Sequence, residues 1–175
     1  MSRSQNKTQR LVRLSLFAAI ALTLFILEAQ IPSPITYIPG IKLGLANIVT
    51  LYILSEYTKK EALMVLMVRI FLGSFFAGQI PALIYSLAGG LLSFAVMCLC
   101  VRIYSNKALW FTGAAGGVFH NIGQIAAAAR IMQTPAVFSY LPFLVISGIC
   151  AGLFCGAGAF YFVKCMNRLY TNSNK

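Results

Sequence analysis

Residues 117–124 read GVFHNIGQ and place three hydrogen-bonding side chains, His120, Asn121 and Gln124, inside an otherwise apolar segment. His120 is the only histidine of the chain, and a histidine can act as a general base, bind a metal or contact a ligand. A catalytic histidine needs a carboxylate or a nucleophile beside it, and the chain has no Asp and only three Glu. We therefore expect no catalytic residue, no metal site and no cofactor.

The absence of Asp excludes two further kinds of active site. Asp-rich motifs that hold a magnesium diphosphate and Ser-His-Asp triads are both impossible. No Gly-x-x-x-x-Gly-Lys-Ser/Thr loop occurs, so we expect that the chain does not hydrolyse ATP by itself. The five cysteines form no C-x-x-C pair and lie in apolar segments, where we interpret them as small buried side chains.

Helical periodicity gathers the polar residues of this segment on one side. At 100° per residue, His120 and Gln124 lie on one arc of the helix, and Asn121 lies at the edge of this arc. The other residues on the arc are small: Gly113, Gly116, Gly117, Ala127 and Ala128. At 1.5 Å per residue, His120 lies about 18 Å from the predicted inner end of the helix. This arc predicts polar side chains that point into a helix bundle, in the outer half of a membrane.

Other segments supply polar partners at a similar depth. Arg69 falls near the middle of an apolar segment, where a charge costs about 2.5–3.5 kcal/mol and seldom faces lipid. We predict a net-cationic cavity open to the outside that binds a small molecule with an anionic or strongly hydrogen-bonding group. Its candidate ligand-binding residues are Glu28, Lys42, Asn47, Arg69, His120, Asn121, Gln124 and Arg130.

Each of these residues also has a structural interpretation. The polar residues 120, 121 and 124 would then only join one helix to another, and Arg69 would only pair with Glu28 inside the bundle. Lys42 and Arg130 would only extend towards the outer interface. Glu56 and Glu61 flank Lys59 and Lys60, and we predict that they belong to a solvated inner loop.

The composition places the chain in the membrane class. Hydrophobic residues make up 59% of the sequence and charged residues only 10%, against about 25% charged residues in a soluble domain. Apolar segments near the length of a membrane span lie roughly at 11–29, 43–57, 61–78, 80–103, 108–131 and 139–164. We predict an all-α, polytopic membrane protein with six transmembrane helices. A basic stretch precedes the first segment, but no convincing signal-peptide cleavage site follows it.

Basic residues determine the predicted orientation, because cytoplasmic loops are enriched in Lys and Arg. Eleven of the 14 basic residues fall on one side if the N-terminus is cytoplasmic: Arg3, Lys7, Arg10, Arg13, Lys59, Lys60, Arg102, Lys107, Lys164, Arg168 and Lys175. We predict a multi-pass protein of the cell membrane with both termini cytoplasmic. Residues 1–10 would be a basic N-terminus, 11–165 the six-helix domain and 166–175 a tail. The net charge of +11 then reflects orientation in the lipid bilayer, with no nucleic-acid partner.

The first apolar segment carries a stripe of small residues. Ser15, Ala19 and Thr23 recur every four residues, with Ala18 adjacent. Such a stripe permits close packing against another helix. The packing helix belongs either to this chain or to a partner protein, and we define Ser15, Ala18, Ala19 and Thr23 as the candidate docking face.

Four stretches resemble one protein family: LGLANIVTLY at 43–52, RIFLGSFFAG at 69–78, YSLAGGLLSF at 85–94 and GVFHNIGQ. They resemble the Gx transporter family, often labelled heptaprenyl diphosphate synthase component I, over about residues 11–165. That family is similar to the substrate-binding S components of energy-coupling factor (ECF) transporters. The resemblance implies a six-helix bundle that captures a small molecule outside and docks through its first helix onto a transmembrane coupling subunit with two ATPases.

Three functions follow as hypotheses. The first is an ECF-type substrate-binding subunit for a vitamin-like molecule, with flavin or isoprenoid and quinone precursors as candidates. The second is a non-catalytic membrane accessory subunit of heptaprenyl diphosphate or menaquinone synthesis; the chain itself is not expected to be an enzyme, because prenyl diphosphate synthases use Asp-rich motifs. The third is a stand-alone facilitator that works without ATP.

Overall fold

The computed structural model describes residues 7–30, 44–77 and 80–173, and within these ranges the chain is entirely helical. The helices are α1 (Lys7–Gln30), α2 (Asn47–Glu56), α3 (Lys59–Ala77), α4 (Ile80–Tyr104), α5 (Leu109–Met132) and α6 (Leu141–Ser173). Two short 3₁₀ turns, Ser105–Ala108 and Pro135–Tyr140, precede α5 and α6. The predicted all-α class and the six apolar segments are therefore recovered as six helices.

Among the described residues, three regions are long and apolar enough to cross a membrane: Lys7–Glu28, Pro81–Tyr104 and Pro135–Met166. Large apolar side chains are exposed on the outward faces of these helices, as expected where lipid replaces water. These features indicate a membrane protein. Crossing by all six helices stays a prediction, because α3 carries four charged residues and α2 has only 10 residues, which span about 15 Å of a core about 30 Å thick.

The short α2 is the centre of the bundle. It packs against each of the other five helices, and seven of its ten residues are buried. Leu51 and Ile53 of α2 are fully buried in the main apolar core, to which α1, α3, α4, α5 and α6 also contribute. A second, smaller core lies between α4, α5 and α6 around Ile125 and Leu144.

Glycines allow α5 and α6 to pack with their backbones in contact. A Cβ atom on Gly117 would lie 3.0 Å from the Cα atom of Gly152, and one on Gly113 would meet the backbone of both Gly152 and Gly156. Gly148, Gly152 and Gly156 recur every four residues and so form one stripe along α6. This close contact fixes the rotation of α5 and decides which of its polar residues face the bundle.

An ion pair joins α1 to α3 at their predicted inner ends. Arg10 donates to both carboxylate oxygens of Glu61, from Nε at 2.5 Å and from Nη2 at 2.7 Å. Glu61 also accepts from the Thr58 amide at 2.9 Å and from its hydroxyl at 2.6 Å, which caps α3. The prediction of a solvated loop is wrong for Glu61, because this carboxylate is ion-paired and lies in the first turn of a helix. Glu56 is the last residue of α2 and is half-buried.

The Arg10 guanidinium lowers the pKa of the Glu61 carboxyl from 4.5 to about 2, and the hydrogen bonds from Thr58 act in the same direction. Glu61 lies beside Lys59 and Lys60 at the start of α3, outside the apolar part of that helix. At neutral pH it is therefore fully ionised.

Candidate functional site

A small polar cavity lies between α1, α2, α3, α4 and α5. Four of the predicted ligand-binding residues line it: Glu28 from α1, Arg69 from α3, and His120 and Gln124 from α5. Phe25, Gly44, Ala46 and Ser86 complete the lining. These four polar residues are separated by up to 96 positions in the sequence, and the fold brings them together.

Arg69 is the most deeply placed charge of this cavity. Its side chain is 2% exposed, and its Nη2 donates to Oδ1 of Asn47 at 3.3 Å. Within the described part of the chain, Nε and Nη1 of Arg69 are buried and have no hydrogen-bond partner. Buried donors of this kind are costly to leave unsatisfied, so a ligand that supplied acceptor oxygens here would bind favourably.

Glu28 faces the same cavity as Arg69. Its Oε1 accepts a short hydrogen bond from the backbone N–H of Gly44, just before α2. The carboxylate therefore ties the end of α1 to the start of α2. Within the described lining, Glu28 and Arg69 contribute one charge of each sign. The net-cationic cavity predicted from the sequence also included Lys42 and Arg130, and it stays a prediction.

His120 and Gln124 form one unit on α5. The amide nitrogen of Gln124 lies 3.1 Å from Nε2 of His120, one helical turn away. The two side chains are therefore linked across one turn of α5, and the tautomer of the imidazole decides which of its nitrogens donates. Gly89 of α4 packs directly against this pair: a Cβ atom there would lie 2.7 Å from the His120 carbonyl oxygen and 2.8 Å from Cγ of Gln124.

Gly44 closes the cavity on the side of α2. Its φ of +83° is a left-handed conformation that favours glycine. A Cβ atom at this position would lie 2.9 Å from Cδ2 of His120 and 3.0 Å from Nδ2 of Asn47. Gly44 therefore lets the backbone approach the polar side chains of both α2 and α5.

The cavity is small in this conformation. Its volume is about 10 Å³, which is near the minimum that accommodates one water molecule. The described lining therefore leaves room for about one water molecule, and a site open to the outside stays a prediction.

Asn121 joins one helix to another, which is the structural interpretation given above for residues 120, 121 and 124. Its Nδ2 donates to the carbonyl oxygen of Leu144 at 2.7 Å and to Oγ of Ser147 at 3.3 Å, so it joins α5 to α6. It is not among the residues that line the cavity. His120 and Gln124, one and three residues away, face the cavity instead.

The remaining predicted residues lie elsewhere. Arg130 is exposed near the end of α5 and does not line the cavity. Lys42 falls outside the described residues, as does most of the proline-rich segment between α1 and α2. Ligand contacts by Lys42 and Arg130 stay predictions.

Three of the four residues of the candidate docking face are exposed, and the fourth is partly buried. Ser15, Ala19 and Thr23 are exposed, whereas Ala18 packs against the main core. Thr23 Oγ1 donates to the Ala19 carbonyl within the helix, at 3.0 Å. The exposed stripe is on the side of α1 opposite to its buried residues Leu14, Phe17 and Ala21.

Sequence reasoning missed several residues that build the site. Gly44 and Ser86 line the cavity without any local pattern that marks them. The four-residue recurrence of Gly148, Gly152 and Gly156 could have predicted the contact between α5 and α6. The Thr58-x-x-Glu61 spacing could likewise have identified the start of α3.

A sequence profile for the family described as heptaprenyl diphosphate synthase component I matches residues 17–162, which covers all of the cavity residues. No curated protein and no solved structure matches the chain significantly.

Proposed function

The chain belongs to the heptaprenyl diphosphate synthase component I family, and on that basis we propose that it is the substrate-binding membrane subunit of an ECF-type transporter. It would capture a small vitamin-like molecule, such as a flavin or an isoprenoid or quinone precursor, on the outer side of the membrane. A coupling subunit and two ATPases would then drive transport.

One observation carries this proposal: the buried cavity in which two guanidinium nitrogens of Arg69, Nε and Nη1, have no hydrogen-bond partner among the described residues. A purely structural arginine would be expected to satisfy its donors within the bundle, since a buried unpaired donor costs about 1–3 kcal/mol. Arg69 lies close to polar groups from four other helices, which suits a ligand with an anionic or carbonyl-rich group. His120 and Gln124 would then orient the ligand through neutral hydrogen bonds.

The stripe of Ser15, Ala19 and Thr23 supports the need for partner subunits. These residues are exposed in the described chain, and small residues at a four-residue spacing permit close approach of a second helix in lipid. Since the sequence holds no ATP-binding loop, energy for uptake would have to come from a partner.

The test is purification of the tagged protein from its native membrane in mild detergent, followed by mass spectrometry. We expect a coupling subunit, two ATPases and one small molecule to be retained. Isolation of the chain alone, with no ligand among vitamins and their precursors, would contradict the proposal. Uptake into liposomes by the chain alone without ATP would instead indicate a facilitator.

The family description supports a second candidate, an accessory subunit in heptaprenyl diphosphate or menaquinone synthesis. An assay in cell extracts supplied with all precursors distinguishes the two functions. An accessory subunit predicts that deletion of the gene lowers quinone side-chain synthesis in such extracts. A transport subunit predicts normal synthesis in the extract and a defect only in uptake by intact cells.

A further inference from the structure

A second cavity, separate from the polar site, lies between α1, α2 and α6. Its volume is about 200 Å³ and its lining is apolar, with Ile20 and Leu24 from α1 and Phe162 from α6 at its sides. Phe17, Tyr52 and Ala159 are buried beneath it, whereas Ile20 and Phe162 are exposed at its mouth. We call this cavity the lateral cleft.

The short α2 explains why the cleft exists. α1 and α6 both contain membrane-length apolar regions, and both pack on α2 between them. Because α2 has only 10 residues, it forms the floor of a gap between the two longer helices. The mouth of this gap faces the hydrocarbon of a bilayer, where water does not fill an apolar space.

The inner end of the cleft is aromatic and lies beside basic residues. The Tyr52 ring centroid lies 5.0 Å from that of Phe17 and 4.6 Å from that of Phe162. Tyr57 packs on Phe17 at 6.1 Å, and the Arg10 guanidinium carbon lies 5.7 Å from the centre of the Tyr57 ring. Basic residues therefore lie next to the inner end of the apolar lining, and we call them the basic rim of the cleft.

The rim carries more basic than acidic side chains. Arg13 lies one helical turn before Phe17, on the same side of α1. Among the described residues at the inner ends of α1, α2 and α3, the charged ones are Lys7, Arg10, Arg13, Glu56, Lys59, Lys60 and Glu61. Five basic side chains thus accompany two carboxylates, which favours an anionic head group at this level.

We propose that the lateral cleft binds one acyl chain of an anionic phospholipid of the inner leaflet, with the phosphate beside Arg13. The apolar lining would hold the chain, and the basic rim would select the head group. This inference does not depend on the transport function, since it uses neither the polar cavity nor the docking face.

The experiment uses the full chain in nanodiscs made of equal parts phosphatidylglycerol and phosphatidylcholine, and native mass spectrometry after release into detergent. The wild type should retain one phosphatidylglycerol. Ile20→Trp, which fills the mouth, should reduce the retained lipid by about tenfold, since each excluded methylene weakens binding. Leu27→Trp, at an exposed position of α1 outside the lining, is the matched control and should behave as the wild type.

A second variant separates the chain from the head group. Arg13→Gln should keep a bound lipid but lower the preference for phosphatidylglycerol over phosphatidylcholine by about fivefold. Equal lipid retention by the Ile20→Trp variant and the wild type would overturn the proposal. So would a wild-type protein that binds the two phospholipids equally, or one that retains a prenyl diphosphate when this is added in competition.

Discussion

At the scale of single residues, the three polar side chains of GVFHNIGQ divide between two tasks. Asn121 bonds to the backbone of α6, and His120 and Gln124 pair with each other and face the polar cavity. Because the sequence has no Asp, no catalytic role was expected for His120. The structure places Glu28 and Arg69 in the lining of the same cavity, so the histidine lines a cavity with one charge of each sign among its described residues.

Replacement of Arg69 tests the binding role of this cavity. Arg69→Leu should weaken retention of the co-purified ligand by about 10–150-fold, because a charge-assisted hydrogen bond contributes about 1.5–3 kcal/mol. Arg69→Lys keeps the charge and should lose less. Isothermal titration with the identified ligand measures the effect. If Arg69→Leu lowers expression and melting temperature but leaves affinity unchanged, Arg69 is structural only.

Replacement of Asn121 should give the opposite pattern. Asn121→Leu removes the hydrogen bonds to Leu144 and Ser147, which should cost about 0.6–2 kcal/mol of stability. Because Asn121 does not line the cavity, ligand affinity should stay within about twofold of the wild type. Thermal unfolding in detergent and ligand titration measure the two effects on the same sample. A large loss of affinity without loss of stability would return Asn121 to the binding site.

At the scale of helices, backbone contact between α5 and α6 holds the polar residues in position. The contact depends on facing glycines, since a Cβ atom would collide with backbone that cannot move independently. The inner ends of α1 and α3 are joined differently, through the Arg10–Glu61 ion pair and the cap at Thr58.

The glycine contact can be tested by alanine substitution. Gly117→Ala should lower the melting temperature by roughly 2–10 °C, because overpacking costs about 1–3 kcal/mol even though alanine favours helix. Gly158→Ala is the control: its Cβ would meet only the side chain of Ile48, which can shift. Differential scanning fluorimetry measures both. Equal melting temperatures for the two variants would argue against backbone contact at Gly117.

The ion pair predicts a pH dependence. Since the pKa of Glu61 falls from 4.5 to about 2 in the folded state, its contribution to stability is present above pH 4.5 and is lost as the pH falls towards 2. Glu61→Gln should therefore be less stable than the wild type at pH 7, by about 1–2 kcal/mol with the lost cap included. The difference should shrink at pH 3. A difference that is independent of pH would mean that the carboxylate charge is unimportant.

At the scale of the whole molecule, the regions proposed to contact the ligand, the lipid and the partner protein are separate. The polar cavity lies inside the bundle, apolar side chains cover the outer faces, and the stripe of Ser15, Ala19 and Thr23 is exposed on α1. Under the proposed function, the ligand and the partner bind to separate surfaces. A mutation can therefore abolish the binding of one and leave the binding of the other intact.

A bulky residue on the docking face should release the partner subunits. Ala19→Leu should weaken co-purification of the coupling subunit by about 5–150-fold, since an added side chain at a close helix contact costs about 1–3 kcal/mol. The ligand should remain bound. Ala95→Leu, at an exposed position of α4, serves as the control. Quantitative mass spectrometry of the purified complexes measures both components, and full retention of the partner by Ala19→Leu would exclude this face.

The sequence by itself determined the membrane class, the order of the six helices and the polar arc on α5. These features follow from composition and from neighbours three or four residues apart, which local pattern reports directly. Only the tertiary structure decided which polar residues meet, that Asn121 faces α6 while Gln124 faces the cavity, and that Gly44 closes it. Those outcomes depend on the rotation of each helix about its axis, and packing between distant glycines and core side chains sets that rotation.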